Sequence, residues 1–534
     1  MSTALGKSTV KQRGFSVISV CVWSVAFGLA YTQAPLFSSN QNQYFLHGLA
    51  RAGFGFLNLD WLSNTVDPTP VFSLLVQATF RALPLVAFYA WALLLFGIYL
   101  YSLEGIASSV FDLRADPIEH RVFLALFVVV HAALFRFLLF KTLGDPWSYT
   151  FEAGLAGQRL LGPVLEPSMF GVLLLLSVHL ASLGRYPQSV LASVLAATFH
   201  PTYLLSAGLL IFAYMVVQWS EGARRQALMT AGLALLLVLP ILVYTALQFA
   251  TPSAASLRQA QEILVRTRIP HHALIEVWWN SSVVVQVLIV AAGIAIARKT
   301  RIFIVMATLA GAVAVLTLAQ AITGSMALAL IFPWRPSTLL VPMGTTLLLG
   351  YGVEAAWRSR KTGASIAGPV RDLMSRGSIS LTLLLVIAGT VKFRIDLQQV
   401  ASSSAQPVLE FVDRSKHKGE IYMIPPQLQD FRLATGAPAL VDFKSIPYRA
   451  KEVIEWYDRL LLARAFYREE PDEVSCRALR DSVTRYGVTH VILESAQFGA
   501  SCGPWLERYR DGYFAVFEVG VEQHPVDVPA LQTE

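Results

Sequence analysis

Long apolar runs separated by short charged connections fill the first 395 residues of this 534-residue chain. A helix needs about 17–25 residues to cross a bilayer, and most of the runs approach or reach that length. Only 14% of all residues are charged, against roughly 25% in soluble domains. We therefore predict an α-helical polytopic membrane protein with about eleven transmembrane helices. The runs lie near residues 15–32, 83–103, 122–140, 167–184, 187–199, 202–219, 226–248, 282–297, 302–322, 337–357 and 379–395.

Two of these runs differ from an ordinary span. The first begins at Phe15 and is longer than the apolar core of a cleaved signal peptide, so we expect it to remain as the first span. The run over 187–199 is short and ends at His200-Pro201, where proline breaks a helix. We expect residues 187–219 to form two short helices bent back on one another.

Basic residues in the connections predict the orientation. With the N-terminus in the cytoplasm, every inner connection carries Lys or Arg, as the positive-inside rule requires. An odd number of spans then places residues 396–534 outside, in the periplasm if the membrane is a bacterial inner membrane. The net charge of +7 is explained by these connections and does not indicate a nucleic-acid partner.

Residues 396–534 have the sequence pattern of a small α/β domain, in contrast to the transmembrane domain over 1–395. Residues 419–424, 489–494 and 513–519 are predicted strands, and residues 449–467 and 477–486 are predicted amphipathic helices. If this extracytoplasmic domain lies in an oxidising compartment, Cys476 and Cys502 are candidates for a disulfide.

The first outer loop, residues 33–82, is too polar to lie in the hydrocarbon core of a bilayer, but its residues are spaced as in a helix. Gln43, His47 and Arg51 are four residues apart, which places them on one face of a helix. Asp60 and Asp67 follow in the connection to a second helix that starts near Pro70. A carboxylate at the membrane surface can act as a general base on an acceptor hydroxyl. The alternatives are a helix cap for Asp60 and an Asp-Pro turn for Asp67.

Positive charge on the predicted outer side breaks the orientation rule and predicts a rim that holds a phosphate or pyrophosphate. Snorkelling and salt bridges are the alternative explanation. Histidines and a glutamate in the same loops are further polar candidates for binding this group. We find no metal-binding motif and predict no cofactor. The candidate binding residues of these outer loops are Glu152, Arg159, His200, Arg258, Arg266, Arg268, His271, His272 and Arg335.

The plan of the chain resembles the GT-C superfamily of polytopic membrane glycosyltransferases. The resemblance rests on the loop over 33–82, the bent pair over 187–219, the outer loop over 249–281, and the segment FRLATGAPALVDFKSIPYRAKEVIEWYDRL at 431–460, which is similar to the outer domain of an uncharacterised bacterial branch. It implies a GT-C-like fold and transfer of a sugar from a polyprenyl-phosphate donor to a glycan, lipid or protein acceptor.

One departure from the GT-C pattern affects the expected chemistry. Many members carry an acidic residue ahead of a tyrosine soon after the first span, whereas this chain has Asn42-Gln43-Tyr44. An amide cannot accept a proton as a base. We therefore expect Asp60, and next Asp67, to be catalytic, with Asn42, Gln43 and His47 binding substrate. The alternative function is a non-catalytic transporter or lipid-binding membrane protein of the same fold.

Overall fold

The computed structural model describes residues 16–250, 253–361, 368–468, 472–497, 502–503 and 505–519. The chain divides into two compact units. We call residues 1–34, 84–247 and 265–396 the membrane unit, and residues 35–83, 248–264 and 397–534 the α/β unit. The first outer loop thus belongs to the same unit as the C-terminal region. The start of the first predicted span at Phe15 and the basic residues before it lie outside the described residues.

Helices make up most of the chain, and the strands come late in it. In chain order, the helices are α1 (Val17–Tyr31), α2 (Gln41–Tyr44), α3 (Leu46–Ala52), α4 (Pro70–Ala82), α5 (Ala87–Val110), α6 (Pro117–His131), α7 (Ala133–Leu143), α8 (Val172–Ser182), α9 (Tyr186–Phe199), α10 (Leu204–Ser220), α11 (Arg224–Gln248), α12 (Ala254–Glu262), α13 (Pro270–Ala273), α14 (Ile275–Trp278), α15 (Ser281–Ala297), α16 (Arg301–Thr323), α17 (Met326–Leu330), α18 (Ser337–Lys361), α19 (Gly368–Ala401), α20 (Gln406–Ser415), α21 (Phe431–Thr435), α22 (Ala450–Phe466) and α23 (Glu473–Tyr486). The strands are β1 (Tyr422–Met423), β2 (His490–Glu494), β3 (Leu506–Arg510) and β4 (Phe514–Glu518).

The membrane unit contains the long apolar helices. In the described part of the chain, six helices are long and apolar enough to cross a membrane, and the bent pair α6–α7 would make a seventh. Shorter apolar helices include α1, α15 and the segment Pro167–Ser182. The fold class of an apolar, helical chain with a small C-terminal sheet is thus confirmed. The prediction of about eleven spans is not, because several predicted runs form helices shorter than a span.

Breaks in the helices follow the sequence. The predicted run over 122–140 is split at Ala132 into α6 and α7, which meet at an angle of 50°. The predicted bend at His200-Pro201 is present: α9 ends at Phe199, and a short 3-10 turn over Pro201–Tyr203 leads into α10. Proline there has no N–H to continue the helix.

The α/β unit is built on a sheet with the order β1-β2-β4-β3. The β1 and β2 strands are parallel, while β4 is antiparallel to both β2 and β3. The predicted strands and helices fall close to the observed ones, but α20, α21 and β3 were not predicted. The side chains of β3 are mostly exposed and give no apolar run. A core around Trp456, Leu460 and Val491 packs α22 against one face of the sheet.

Two further sequence predictions concern the α/β unit. The second helix of the first outer loop does begin at Pro70, the first residue of α4, where proline is favoured. Cys476 and Cys502 form a disulfide with 5.0 Å between their Cα atoms. The third cysteine, Cys21, is exposed on α1.

Candidate anion-binding site

Asp60, the first candidate base, is fully buried in the α/β unit. Its Oδ2 accepts hydrogen bonds from Arg432 Nε at 2.7 Å and from the Ala439 N–H at 2.9 Å. Its Oδ1 accepts from the Leu62 N–H at 2.8 Å. Both oxygens are thus occupied by donors within the protein. A carboxylate held this way is well placed to stabilise the fold and poorly placed to accept a substrate proton.

Arg432 binds a second buried carboxylate on its other side. Its Nη1 pairs with Asp442, and its Nη2 donates to the Ala439 carbonyl at 2.8 Å. The Asp442 Oδ1 accepts from the N–H groups of Lys444 and Ser445 at 2.7 and 2.6 Å. We call Asp60, Arg432 and Asp442 the closed cluster, because the donors and acceptors of the protein itself satisfy it.

The Asn42-Gln43-Tyr44 motif also has a structural explanation. Gln43 Nε2 donates to the Ile446 carbonyl at 2.8 Å, and Gln43 Oε1 accepts from the Ile446 N–H at 2.5 Å. Only an amide can make both bonds, since an ionised carboxylate has no donor. An acid at this position would leave the Ile446 carbonyl unpaired. Asn42, the residue before Gln43, is also buried. Neither the oxygen nor the nitrogen of its side-chain amide has a hydrogen-bond partner among the described residues.

His47 and Asp67 make contacts within the first outer loop. The His47 Nδ1–H donates to the Ser63 carbonyl at 3.1 Å, and burial lowers the pKa of His47. Asp67 Oδ1 accepts from the Thr69 N–H at 3.0 Å, which forms the Asp-Pro turn expected as the alternative to catalysis. Arg51 pairs with Asp67 at 2.9 Å. The predicted face of Gln43, His47 and Arg51 is therefore the face that binds other segments of the α/β unit.

Glu152, in the membrane unit, is less completely hydrogen-bonded than Asp60. Glu152 lies in the loop that connects α7 to the Pro167–Gly171 turn and is 5% exposed. Its Oε1 accepts from the Tyr31 hydroxyl at 3.2 Å and lies 3.4 Å from Arg136 Nη1. Its Oε2 is buried and has no hydrogen-bond partner in the described parts of the chain. One half of this carboxyl group is therefore open.

Arg159 and Arg335 are the second distinctive feature of the membrane unit. The Arg159 guanidinium stacks on the Tyr149 ring at 3.8 Å, and the Arg335 guanidinium lies 4.9 Å from the centre of the Tyr203 ring. Arg335 is 9% exposed, and its Nε has no hydrogen-bond partner within the described ranges. Neither arginine forms an ion pair with any carboxylate that the structure describes. We call Glu152, Arg136, Arg159 and Arg335 the open cluster.

The loop that carries Glu152 is fixed by backbone contacts. The Leu155 N–H donates to Ser337 Oγ at 2.8 Å, and Thr345 donates to the Phe151 carbonyl at 2.8 Å. Position 154 has no room for a side chain where the loop passes α18, because a Cβ there would lie 2.4 Å from Ser337 Oγ. The His272 Nδ1–H donates to the Ala156 carbonyl at 2.7 Å. The loop is thus bound to α13 through His272 and to the first residue of α18, Ser337, which follows Arg335 by two positions.

Backbone strain occurs at two residues of the same region. Ala156 has a φ of 58° and Phe332 has a φ of 51°, although neither is glycine. The left-handed conformation costs non-glycine residues on the order of 1 kcal/mol, and such strained residues are enriched at binding and catalytic sites. Ala156 follows Glu152 by four residues, and Phe332 precedes Arg335 by three.

The electrostatics link these residues. Burial raises the pKa of the Glu152 carboxyl to about 7, although the Arg136 and Arg159 guanidiniums act to lower it. Burial, reinforced by the charges of His271, Arg335 and Arg159, lowers the pKa of the His272 imidazole to about 3. His272 is therefore neutral at pH 7. The open cluster holds three guanidiniums and one carboxyl. Glu166 also lies close enough to act on Arg159, and guanidiniums still outnumber carboxyl groups when it is included.

The remaining candidate binding residues lie outside the open cluster. His200 is 6% exposed, and its ring contacts Tyr203 edge to face with centroids 5.5 Å apart, next to Arg335. His271 is exposed and packs against His272 in a tilted arrangement with ring centroids 4.1 Å apart. Arg266 and Arg268 end the π-helical turn Ile263–Arg268. Arg258 is exposed on α12 and belongs to the α/β unit.

Sequence reasoning missed most partners in both clusters. Tyr31, Tyr149 and Tyr203 were not selected, because an aromatic residue near a span is usually a packing or interfacial residue. Arg432 and Asp442 were not selected either. Their signal is a charge within an otherwise apolar stretch, FRLATGAPALVD, which indicates buried pairing.

The comparisons with known proteins concern the α/β unit. Residues 403–463 match the model of a domain of unknown function, DUF6798. This segment contains Arg432 and Asp442 of the closed cluster and Ile446, the partner of Gln43. No curated protein matches the sequence. In the described residues, no group of three or more His, Cys, Asp or Glu side chains is arranged to hold a metal ion. The chain is therefore similar to this domain over part of the α/β unit.

Proposed function

We propose that this membrane protein binds a polyprenyl-phosphate-linked sugar and transfers the sugar to an acceptor hydroxyl. The observation that carries the proposal is the pair of arginines without carboxylate partners among the described residues, Arg159 and Arg335, in a unit made of apolar helices. Burying an unpaired guanidinium is costly, so a protein that retains two gains from an anion that binds them. A phosphate is the anion whose geometry best matches guanidinium donors.

A lipid-linked phosphate fits this site better than a soluble one. The arginines belong to the same unit as the helices that are apolar enough to cross a membrane. A prenyl chain can lie along those helices while its phosphate remains at the polar loops. Such a donor leaves a phosphate when its sugar is transferred, so the guanidiniums would stabilise the charge that develops on the leaving group.

Mass spectrometry of lipids that co-purify with the protein tests the proposal. We expect the wild type to carry a prenyl phosphate or pyrophosphate, with or without a sugar. Arg159→Gln and Arg335→Gln should each reduce its amount at least tenfold, because each removes a charged donor to the phosphate.

Arg301→Gln is the matched control. Arg301 is an arginine of the same unit, but it already pairs with Glu221 at 2.6 Å and lies outside the open cluster. It should retain the lipid at the wild-type level. Ordinary phospholipid alone in the wild type, or equal prenyl phosphate in all of the variants, would refute the proposal. A bound prenyl phosphate that never carries or loses a sugar would support the alternative of a lipid-binding or transport protein.

A further inference from the structure

The two oxygen atoms of the Glu152 carboxyl group have different environments. Tyr31 and Arg136 contact Oε1, whereas Oε2 has no donor in the described residues. The Nε2 atom of His131 lies 3.9 Å from Oε2. This asymmetry is unusual for a carboxyl group that is 5% exposed, because most buried carboxylates use both oxygens.

His131 does not supply the missing donor. Its Nδ1 lies 2.8 Å from the Phe127 carbonyl, which can only accept, so Nδ1 carries the proton. In the neutral ring, Nε2 is then a bare acceptor, and the Tyr99 hydroxyl donates to it at 3.0 Å. The imidazole therefore has no proton to offer Glu152. Among the described residues, the lone pairs of Oε2 remain without a partner.

Arg136 is also not primarily a partner of Glu152. Its Nη1 donates to the His131 carbonyl at 2.7 Å and its Nη2 to the Tyr31 carbonyl at 2.6 Å. Its guanidinium lies over the Tyr31 ring at 3.8 Å. These contacts fix Arg136 and leave only a 3.4 Å approach to Glu152. The arginine contacts Oε1 and leaves Oε2 without a hydrogen-bond partner among the described residues.

We propose that Glu152 Oε2 accepts the proton of the acceptor hydroxyl during sugar transfer. The inference rests on the proposed function and deepens it by assigning the base to the open cluster instead of to Asp60. The acceptor oxygen forms a bond to the anomeric carbon of the donor while the bond from that carbon to the phosphate oxygen breaks. The electron pair of the broken bond leaves with the lipid phosphate, and the hydroxyl proton passes to Glu152.

The charges around Glu152 suit this role. Tyr31, Tyr99, His131, Arg136, Tyr149 and Arg159 are the titratable or charged groups around it. Burial raises the pKa of Glu152 to about 7, and a base is most effective when its pKa is close to the working pH. Arg159, a proposed ligand of the leaving phosphate, lies close enough to oppose this rise. Base and leaving-group site are thus in one electrostatic neighbourhood.

The test compares the sugar-loaded and sugar-free forms of the prenyl phosphate that co-purifies with each variant. In the wild type, turnover converts the loaded donor to lipid phosphate. Glu152→Gln keeps the hydrogen-bond acceptor for Tyr31 but cannot accept a proton. We expect its ratio of loaded to sugar-free lipid to rise at least tenfold above the wild type. Glu221→Gln, a carboxylate change outside the open cluster, should keep the wild-type ratio.

The outcomes separate the two proposals. If wild type and Glu152→Gln carry prenyl phosphate with the same loaded fraction, Glu152 is not the base, although the donor site stands. If no variant carries any prenyl phosphate, the proposed function fails and the base assignment fails with it. Should Glu152→Gln not fold, Glu152→Asp takes its place. The shorter acid should raise the loaded fraction only partly, and an unchanged fraction would again overturn the assignment.

Discussion

The closed and open clusters contain the same types of side chain but satisfy them differently. In the closed cluster, Arg432 joins two carboxylates, and main-chain groups complete the hydrogen bonds of Asp60 and Asp442. In the open cluster, guanidiniums outnumber carboxyls, and one oxygen of Glu152 has no partner among the described residues. Burial alone does not distinguish them. The number of unsatisfied donors and acceptors does, and it is the reason that we propose the open cluster as the ligand site.

Another buried carboxylate shows that the difference is not a property of the membrane unit. Glu104 on α5 is 1% exposed. It accepts from Arg114 Nε at 2.8 Å and from the Ser108 hydroxyl at 2.8 Å, and His120 lies 2.9 Å away. This carboxylate is as fully paired as Asp60. The membrane unit can therefore satisfy a buried acid, which makes the open oxygen of Glu152 more significant.

The largest expected effect is the loss of Arg432. Arg432→Met leaves Asp60 and Asp442 buried without their shared cation. We expect the free energy of unfolding to fall by about 3–5 kcal/mol. Tryptophan fluorescence during denaturant unfolding in detergent measures this change. Arg414→Met removes an exposed pair with Glu410 and should change it by less than about 1 kcal/mol. A similar small change for Arg432→Met would break the distinction between the clusters.

The disulfide should affect stability and leave donor binding unchanged. Cys476 and Cys502 are 26 residues apart, and a crosslink over such a loop stabilises by about 3 kcal/mol. A Cys476→Ser/Cys502→Ser variant should lose that amount but keep the wild-type quantity of bound prenyl phosphate. The same shift should appear when a reductant is added to the wild type. Loss of the lipid at temperatures where the variant is folded would implicate this region in binding.

The pH dependence of stability should report on Glu152. Its folded pKa of about 7 lies above the ordinary 4.5, so the folded state binds the proton more tightly than the unfolded state. Stability should therefore fall as the pH rises from about 4.5 to about 7, by up to about 3 kcal/mol at 1.4 kcal/mol per pH unit. Glu152→Gln should remove this contribution. Identical pH profiles of unfolding for the variant and the wild type would contradict the raised pKa.

The smallest expected effect concerns the support of the Glu152 loop. Ser337→Ala removes the acceptor of the Leu155 N–H and should cost about 1 kcal/mol. It should also reduce bound prenyl phosphate a few-fold, because the loop carries Glu152 and Arg159. Ser325→Ala removes the N-cap of α17 at a similar cost in the same unit. If both variants retained equal amounts of the lipid, the loop would not position the site.

Much of the fold could be predicted from the sequence, because it follows from local patterns. Apolar runs locate the long helices, His200-Pro201 locates a break, and short apolar segments locate the buried strands. The number of spans could not be obtained this way. Hydropathy does not distinguish a spanning helix from a shorter apolar one such as α1, which has 15 residues.

Candidate site residues could be selected from the sequence, but their hydrogen-bond partners could not, for a physical reason. A sequence shows which residues can ionise but not whether another residue satisfies them. Glu152, Arg159 and Arg335 were selected for charge on the predicted outer side. Asp60 was selected by the same kind of reasoning, yet its partners Arg432 and Ala439 lie more than 370 residues away in the chain. Pairing over that separation is visible only in three dimensions.

The most direct measurement is the Kd of the delipidated protein for a synthetic prenyl phosphate, obtained by native mass spectrometry titration. The double variant Arg159→Gln/Arg335→Gln should weaken binding at least 100-fold, since two charged donors are lost. Asp60→Asn, studied at a temperature where it is folded, should bind within threefold of the wild type. Strong binding by the double variant, or a large loss confined to Asp60→Asn, would contradict the assignment of the open cluster as the ligand site.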